Sequence, residues 1–309
     1  MAKTKTPLVS VIIPFFNTGK SLVKLVDKLL CSFDELEIIC VDDKSTDDSL
    51  KLIQAETDPR LKIIKQSKNQ GSAAARNRGL ATASGKYIVF LDSDDDISSS
   101  FINKMLSSIS QDEHAVLAVC GIRQKYLATH KTVDKFVDDV PMQTAQESWK
   151  AYILHLMVLD GRLYSSVNKI YLGDVIRAHQ LTFDTKLDFA EDTKFVLDYL
   201  ACFADTANAQ INCVLEPLYI YNYGTPTSVV ASSSLRWENW QKNYTDITKW
   251  LGPEPTKLEQ KWLKKLLFRF KISHALAVER ADLSEAEKLQ YLKKPALLGA
   301  SLLHKIRGN

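Results

Sequence analysis

Four aspartates stand within five residues, Asp92-Ser93-Asp94-Asp95-Asp96, directly after the apolar run YIVFL (87–91). Clustered carboxylates repel one another, so the segment is expected to stay out of the packed core. Such oxygens suit a hard divalent cation. Mg2+ or Mn2+ is held by one or two carboxylates plus the phosphates of a substrate. The bland reading is a solvated acidic loop that caps the next helix. Asp42-Asp43 follows LEIICV (36–41) in the same way, and helix capping is again the bland account. Asn69-x-Gly71 opens a run of small residues, Ala73, Ala74 and Ala75, followed by Arg76, Asn77 and Gly79. Gly and Ala let a helix approach a ligand closely, and Arg76 supplies a fixed cation suited to a diphosphate. The alternative is a tightly packed helix with one surface arginine. Glu191-Asp192 opens a helical pattern behind Phe189. Acidic residues in a first turn complement the helix dipole without any further role.

The elements that must position these residues are legible in the first 121. Strand patterns at 8–16, 36–41, 61–64, 87–91 and 115–120 alternate with helical patterns at 19–31, 47–56, 71–83 and 99–109. Ser45 and Thr46 are suited to the N-cap of the second helix. This alternation predicts an α/β fold, a mostly parallel sheet with helices on both faces. Ligands of such sheets bind beyond the carboxyl ends of the strands. Pro14 to Asn17, Asp42-Asp43 and Asp92–Asp96 all stand at such ends. Further on, 146–158 and 190–203 read as helices, 168–172 as a short segment and 211–223 as a strand. Trp237, Trp240, Tyr244, Ile247 and Leu251, then Trp262, Leu266, Leu267 and Phe270, recur at helical spacing. Gly252-Pro253 and Pro255 separate the two helices.

Composition removes several classes. The formal net charge is +3 over 309 residues, which points away from a nucleic-acid partner. The excess is uneven: from Leu235 onward 15 Lys/Arg face 8 Asp/Glu. Five cysteines show no C-x-x-C spacing and are expected as free thiols. No apolar stretch approaches 18 residues, the length a membrane span needs. The first apolar run reads as a strand rather than a signal peptide, and a reducing cytosol is the expected compartment, with the inner face of the membrane as an open variant. G-x-G-x-x-G and G-x-x-x-x-G-K-[ST] are both missing, so dinucleotide-dependent redox chemistry and P-loop hydrolysis lack their phosphate-binding signatures. The six histidines are scattered.

Together VSVIIPFFN (9–17), VDDKSTDDS (41–49), NQGSAAARNRG (69–79) and GKYIVFLDSDD (85–95) resemble the family 2 glycosyltransferases of the GT-A fold. The four motifs occur in that family's order and spacing. VNKIYL (167–172), AEDTKF (190–195) and PLYIYN (217–222) resemble its acceptor-side landmarks more weakly. The resemblance implies a metal-dependent, inverting transfer of a hexose from a nucleotide sugar, a UDP-hexose first among them, to a hydroxyl of a glycan, glycolipid or glycoprotein. Pro14, Asn17, Asp42, Asp43, Asn69, Arg76, Asp92 and Ser93 would bind the nucleotide sugar. Asp94, with Asp92, would hold Mn2+ or Mg2+. Asp192 would be the general base, and Glu191 would shape the acceptor site. In the family the Tyr-rich strand often continues with Arg and then His, whereas here 221–228 reads YNYGTPTS.

Residues 1–232 are thus expected to form the glycosyltransferase domain, with 1–121 for the nucleotide sugar and 122–232 for the acceptor. Residues 233–309 would form a helical C-terminal region. Its stripes would pack on the catalytic domain, bury against a second copy, or lie on an anionic membrane. A non-catalytic binder of the same fold is the alternative from another class. A nucleotidyltransferase is disfavoured, because 15–20 (FFNTGK) is too poor in Gly to cradle phosphates.

Overall fold

The computed structural model describes residues 7–136, 143–145, 147–159, 161–187, 189–224, 235–280 and 284. The chain forms two compact units. The first takes in Met1–Met142, Tyr164–Lys186 and Glu191–Thr227, and the second Gln143–Leu163, Leu187–Ala190 and Ser228–Asn309.

The first unit is built on a nine-stranded sheet of order β3-β2-β1-β4-β8-β6-β9-β5, with β7 on β6. The strands are β1 (Val9–Phe15), β2 (Leu36–Asp42), β3 (Leu61–Lys65), β4 (Tyr87–Phe90), β5 (Asp96–Ile97), β6 (Ala115–Tyr126), β7 (Lys131–Lys135), β8 (Lys169–Leu172) and β9 (Gln210–Tyr223). β5, β7 and β8 run against the rest. The sheet is therefore mixed but mostly parallel, as the alternation predicts. Its helices are α1 (Lys20–Ser32), α2 (Ser49–Gln54), α3 (Gly71–Leu80), α4 (Phe101–Ser110), α6 (Gly173–Ala178) and α7 (Glu191–Ala201); α5 belongs to the second unit. β1, β2 and β4 are buried along their whole length. Continuous apolar runs therefore stand where both faces of a strand are covered. The strand order steps outward from β1 through β2 to β3, then returns across β1 to β4. This makes a switch point between β1 and β4, and a crevice at their carboxyl ends.

Two local readings differ from expectation. α2 begins at Ser49, with Asp48 at its N-cap and no side-chain cap bond. Ser45 and Thr46 bond instead to the end of β1: Asn17 N–H donates to Ser45 Oγ, and Asn17 Oδ1 accepts from Thr46 N–H. Asn17 can do this because it stands at φ 54, a conformation asparagine tolerates better than most residues. Asp95 is buried, contrary to the expected exposure of the acidic loop.

The second unit holds α5 (Trp149–Leu159), α8 (Trp237–Leu251) and α9 (Lys257–Arg280). The stripe residues Ile247, Leu251, Leu266 and Phe270 are buried. Two helix ends are closed by basic side chains from neighbouring helices. Arg269 Nη1 donates to the last carbonyls of α5, on Val158 and Leu159, and Lys150 Nζ donates to those of α8, on Trp250 and Leu251. Both satisfy carbonyls that a helix leaves unpaired. His155 stacks on Trp262 with ring centroids 4.1 Å apart. No described helix is long and apolar enough to cross a membrane. The basic residues expected near the end of the chain, Lys288, Lys293, Lys294, Lys305 and Arg307, lie outside the described residues.

Candidate active site at the strand ends

α3 delivers the central cation. Its small residues turn out to serve close packing against the sheet: Ala75 is fully buried, and a Cβ at Gly79 would collide with Ile12 Cγ2 of β1. That approach carries Arg76 to the crevice, where the side chain is only 4% exposed. Its Nη2 donates to Asp92 Oδ1 at 2.7 Å and its Nη1 to Asp192 Oδ1 at 3.2 Å. Nη1 also lies 3.8 Å from Glu191 Oε1. The guanidinium sits 5.3 Å from the centroid of the Phe183 ring. Asn77, one residue on, grips the Phe183 backbone from both sides: Nδ2 donates to its carbonyl at 2.8 Å and Oδ1 accepts its N–H at 2.7 Å. Phe183 in turn stacks on Phe195 of α7, with centroids 4.1 Å apart. Arg76 is thus no surface residue. It joins the end of β4 to the first turn of α7.

One cation faces three carboxylates, and two of these carboxyls hold their protons more tightly than usual. Burial pushes the Glu191 carboxyl up to about 7; Asp192 adds to this and Arg76 opposes it. Asp92 is also raised, by burial and then by Asp192 and Asp94, against the pull of Arg76. The Arg76 guanidinium is held firmly protonated by Asp192, Asp92 and Glu191 despite its burial.

The acidic loop divides by task. Asp92 turns to Arg76. Asp95 accepts from Tyr219 Oη at 2.5 Å and from Asn222 N–H at 2.8 Å, and burial raises its carboxyl well above the ordinary range. Asp96 pairs with Lys28 of α1. Asn222 Nδ2 also donates to the Asp94 carbonyl at 2.7 Å. Asp95 and Asp96 therefore fasten the loop to β9 and α1, while Asp92 and Asp94 stay half-buried, close enough for the Asp94 charge to act on Asp92. Asn222 buttresses the loop from the Tyr-rich strand, whose sequence has neither the Arg nor the His of the family pattern; Thr225 to Ser228 of that segment lie outside the described residues. Among the described residues, no group of three or more His, Cys, Asp or Glu is arranged to hold a metal ion by itself.

The other sequence-predicted residues take definite places. Pro14 is a buried residue of β1, paired with Val41. Asp42 is buried at the end of β2, and its Oδ1 accepts from Ser45 N–H. The Asp43 carboxylate accepts from Gln66 Nε2 and from the backbone N–H groups of Gln70 and Gly71, which bind it to the start of α3. Asn69 is exposed, and Ser93 is buried. Sequence reasoning missed Ser166, whose Oγ donates to Asp192 Oδ1 at 2.9 Å from 26 positions away. Tyr219 and Phe183 were missed as well. Aromatic residues in a strand or beside a helix carry no mark of the carboxylate or cation they touch.

A mostly parallel sheet with carboxylates gathered at its switch point defines a GT-A type of nucleotide-sugar fold, and solved structures share it. The Staphylococcus aureus TarS 1–349 structure in complex with UDP-GlcNAc matches 92% of this chain and 70% of that one, at 21% identity and a TM-score of 0.56. The mannosyltransferase PcManGT from Pyrobaculum calidifontis, in complex with GDP-Man and Mn2+, matches 99% and 80%, at 16% identity and a TM-score of 0.60. Residues 10–167 match the model of glycosyl transferase family 2, and the chain belongs to that family. EpsH of Bacillus subtilis is 32% identical over 223 residues, 70% of this chain and 61% of its own length.

Proposed function

We propose that the chain transfers a hexose from a nucleotide sugar to a hydroxyl of a glycan acceptor, with inversion at the anomeric carbon. The observation that carries this reading is the meeting of Asp192, at the first turn of α7, with the strand-end Asp92 through one buried arginine. An acceptor hydroxyl is too weak an acid to attack unaided. Asp192 takes its proton as the oxygen bonds to the anomeric carbon, while the bond to the nucleoside diphosphate breaks. A single displacement converts an α-configured donor into a β-linked product. Glu191, ionising near neutrality beside Asp192, shapes the acceptor side of the site.

Asp94 and Asp92 fit a divalent cation. Their oxygens are the hard donors that Mn2+ or Mg2+ prefers, and the Asp92 carboxyl, raised by burial and then by the neighbouring Asp192 and Asp94, is one whose charged form a cation would favour. When bound, the ion would neutralise charge growing on the diphosphate. Phosphate oxygens and water would complete its coordination. Arg76 Nε, buried without a hydrogen-bond partner among the described residues, is a donor that a phosphate oxygen would satisfy. Pro14, Asn17, Asp42, Asp43, Asn69 and Ser93 are assigned to the nucleotide side. A UDP-sugar is the first donor to try, since the TarS neighbour was solved with UDP-GlcNAc and the PcManGT neighbour with GDP-Man.

The test is a panel of UDP-, GDP- and dTDP-sugars with Mn2+, scored by release of nucleoside diphosphate. Release from one donor, lost with EDTA and in Asp94→Ala, is expected. Tight donor binding without release, even with glycan acceptors supplied, would favour a non-catalytic sugar-nucleotide binder. An α-linked product by NMR would overturn inversion.

A further inference from the structure

Building on the reading of Asp192 as general base, we infer that Ser166 is a positioning residue that, together with Arg76, selects the carboxylate oxygen that receives the acceptor's proton. Ser166 Oγ and Arg76 Nη1 both donate to Asp192 Oδ1, at 2.9 and 3.2 Å. Among the described residues no donor reaches Oδ2. Two donors from different directions on one oxygen stop the carboxylate from turning. They also leave Oδ2 as the oxygen with open lone pairs.

Ser166 can hold a carboxylate because it is itself held. It is fully buried, and its carbonyl accepts from Tyr171 Oη at 2.9 Å. The neighbouring Ser165 carbonyl accepts from Lys169 Nζ at 2.6 Å. Tyr164, the next residue back, accepts at its carbonyl from Thr193 Oγ1 at 2.9 Å, which ties this segment to the first turn of α7. Asn168 stands at φ 54, and its Nδ2 donates to the Cys120 carbonyl of β6 at 2.6 Å. A fully buried lysine whose ammonium is directed at backbone carbonyls is a costly way to order a short connection. From that connection Ser166 reaches the acidic cluster, through its bond to Asp192. Such support limits the misplacement of a base, which costs rate steeply.

The test uses the full chain with Ser166→Ala, Ser166→Cys and Ser166→Thr. UDP-GlcNAc and UDP-glucose with Mn2+ serve as probe donors, and a crystal structure is solved for each variant. Alanine removes the donor. Cysteine keeps a similar shape but donates weakly, so it separates packing from hydrogen bonding. Both should lower kcat about ten- to hundredfold, the range for one hydrogen bond to a charged group, while the donor KM stays within about twofold. Threonine, which restores the hydroxyl, should recover most of the rate. In the Ala and Cys crystals the Asp192 carboxylate should turn from its wild-type orientation. That readout stands even where neither donor is turned over. The inference fails if the carboxylate keeps its orientation in both variants, or if Ser166→Cys retains wild-type kcat. Asp192→Asn keeps the two readings apart. Full activity in that variant would remove the base assignment itself, whereas an inactive Asp192→Asn beside unaffected Ser166 variants would remove only the role of Ser166.

Discussion

Arg76 concentrates the chemistry of the site in one side chain. Buried and facing Asp92, Glu191 and Asp192, it offsets charges that would otherwise repel across the crevice. Arg76→Met should therefore destabilise the fold by about 3–5 kcal/mol, the usual penalty for leaving buried charges without their partner, as read by urea denaturation. Asp192→Asn should lower kcat by about 10²- to 10⁴-fold with donor binding retained by calorimetry. Glu191 makes a pH prediction. Its carboxyl is raised from an ordinary 4.5 to about 7, so the protonated form is favoured in the fold. Its stabilising contribution is complete below about pH 4.5 and is lost as pH rises through 7. Glu191→Gln should thus gain on the wild type by on the order of 3 kcal/mol between pH 4.5 and 8, measured by denaturation across that range. The residue types of this site could be read from the sequence, but their partners could not. Asp92 through Asp96 look alike as letters, and only β9 and α1 sort Asp95 and Asp96 into fasteners. Ser166 carries no sequence mark at all, because a serine becomes significant only through the oxygen it faces.

Elements were more legible than contacts. β1 to β4 follow from apolar runs, and α3 from its small residues. The bland account of that helix is right about its packing, yet wrong about a surface arginine, because close packing is what carries Arg76 inward. Gly79→Ala tests this coupling. The added methyl would lie 2.4 Å from Ile12 Cγ2, so the Ile12 side chain or α3 must shift. The expected loss is about 1–3 kcal/mol of stability, as for other overpacked cores, together with a lower rate although residue 79 touches none of the acidic cluster. A variant with normal stability and rate would show that the contact relaxes without moving Arg76. β5, β7 and α6 escaped the sequence reading. β5 has two residues, and β7 is largely exposed, so neither carries the apolar alternation by which strands are recognised.

At the scale of the whole molecule, the sheet order was the least predictable feature. β8, only four residues long, lies between β4 and β6 and pairs antiparallel with both. Its sequence, KIYL, hardly announces a strand that bridges the two halves of a sheet. The placement also imposes an order on biosynthesis. As the chain leaves the ribosome, β6 is complete some forty residues before the strand that must separate it from β4. Until residues 169–172 arrive, β4 presents an open apolar edge, the kind of surface on which nascent chains pair wrongly. A fragment ending at residue 121 should accordingly aggregate, although it contains the motifs of the nucleotide side, and one carried on through β8 and β9 to residue 224 should stay in solution far better, as sedimentation after expression would reveal. The short strand thus sets the earliest moment at which the two halves of the growing sheet can join, before β9 completes it.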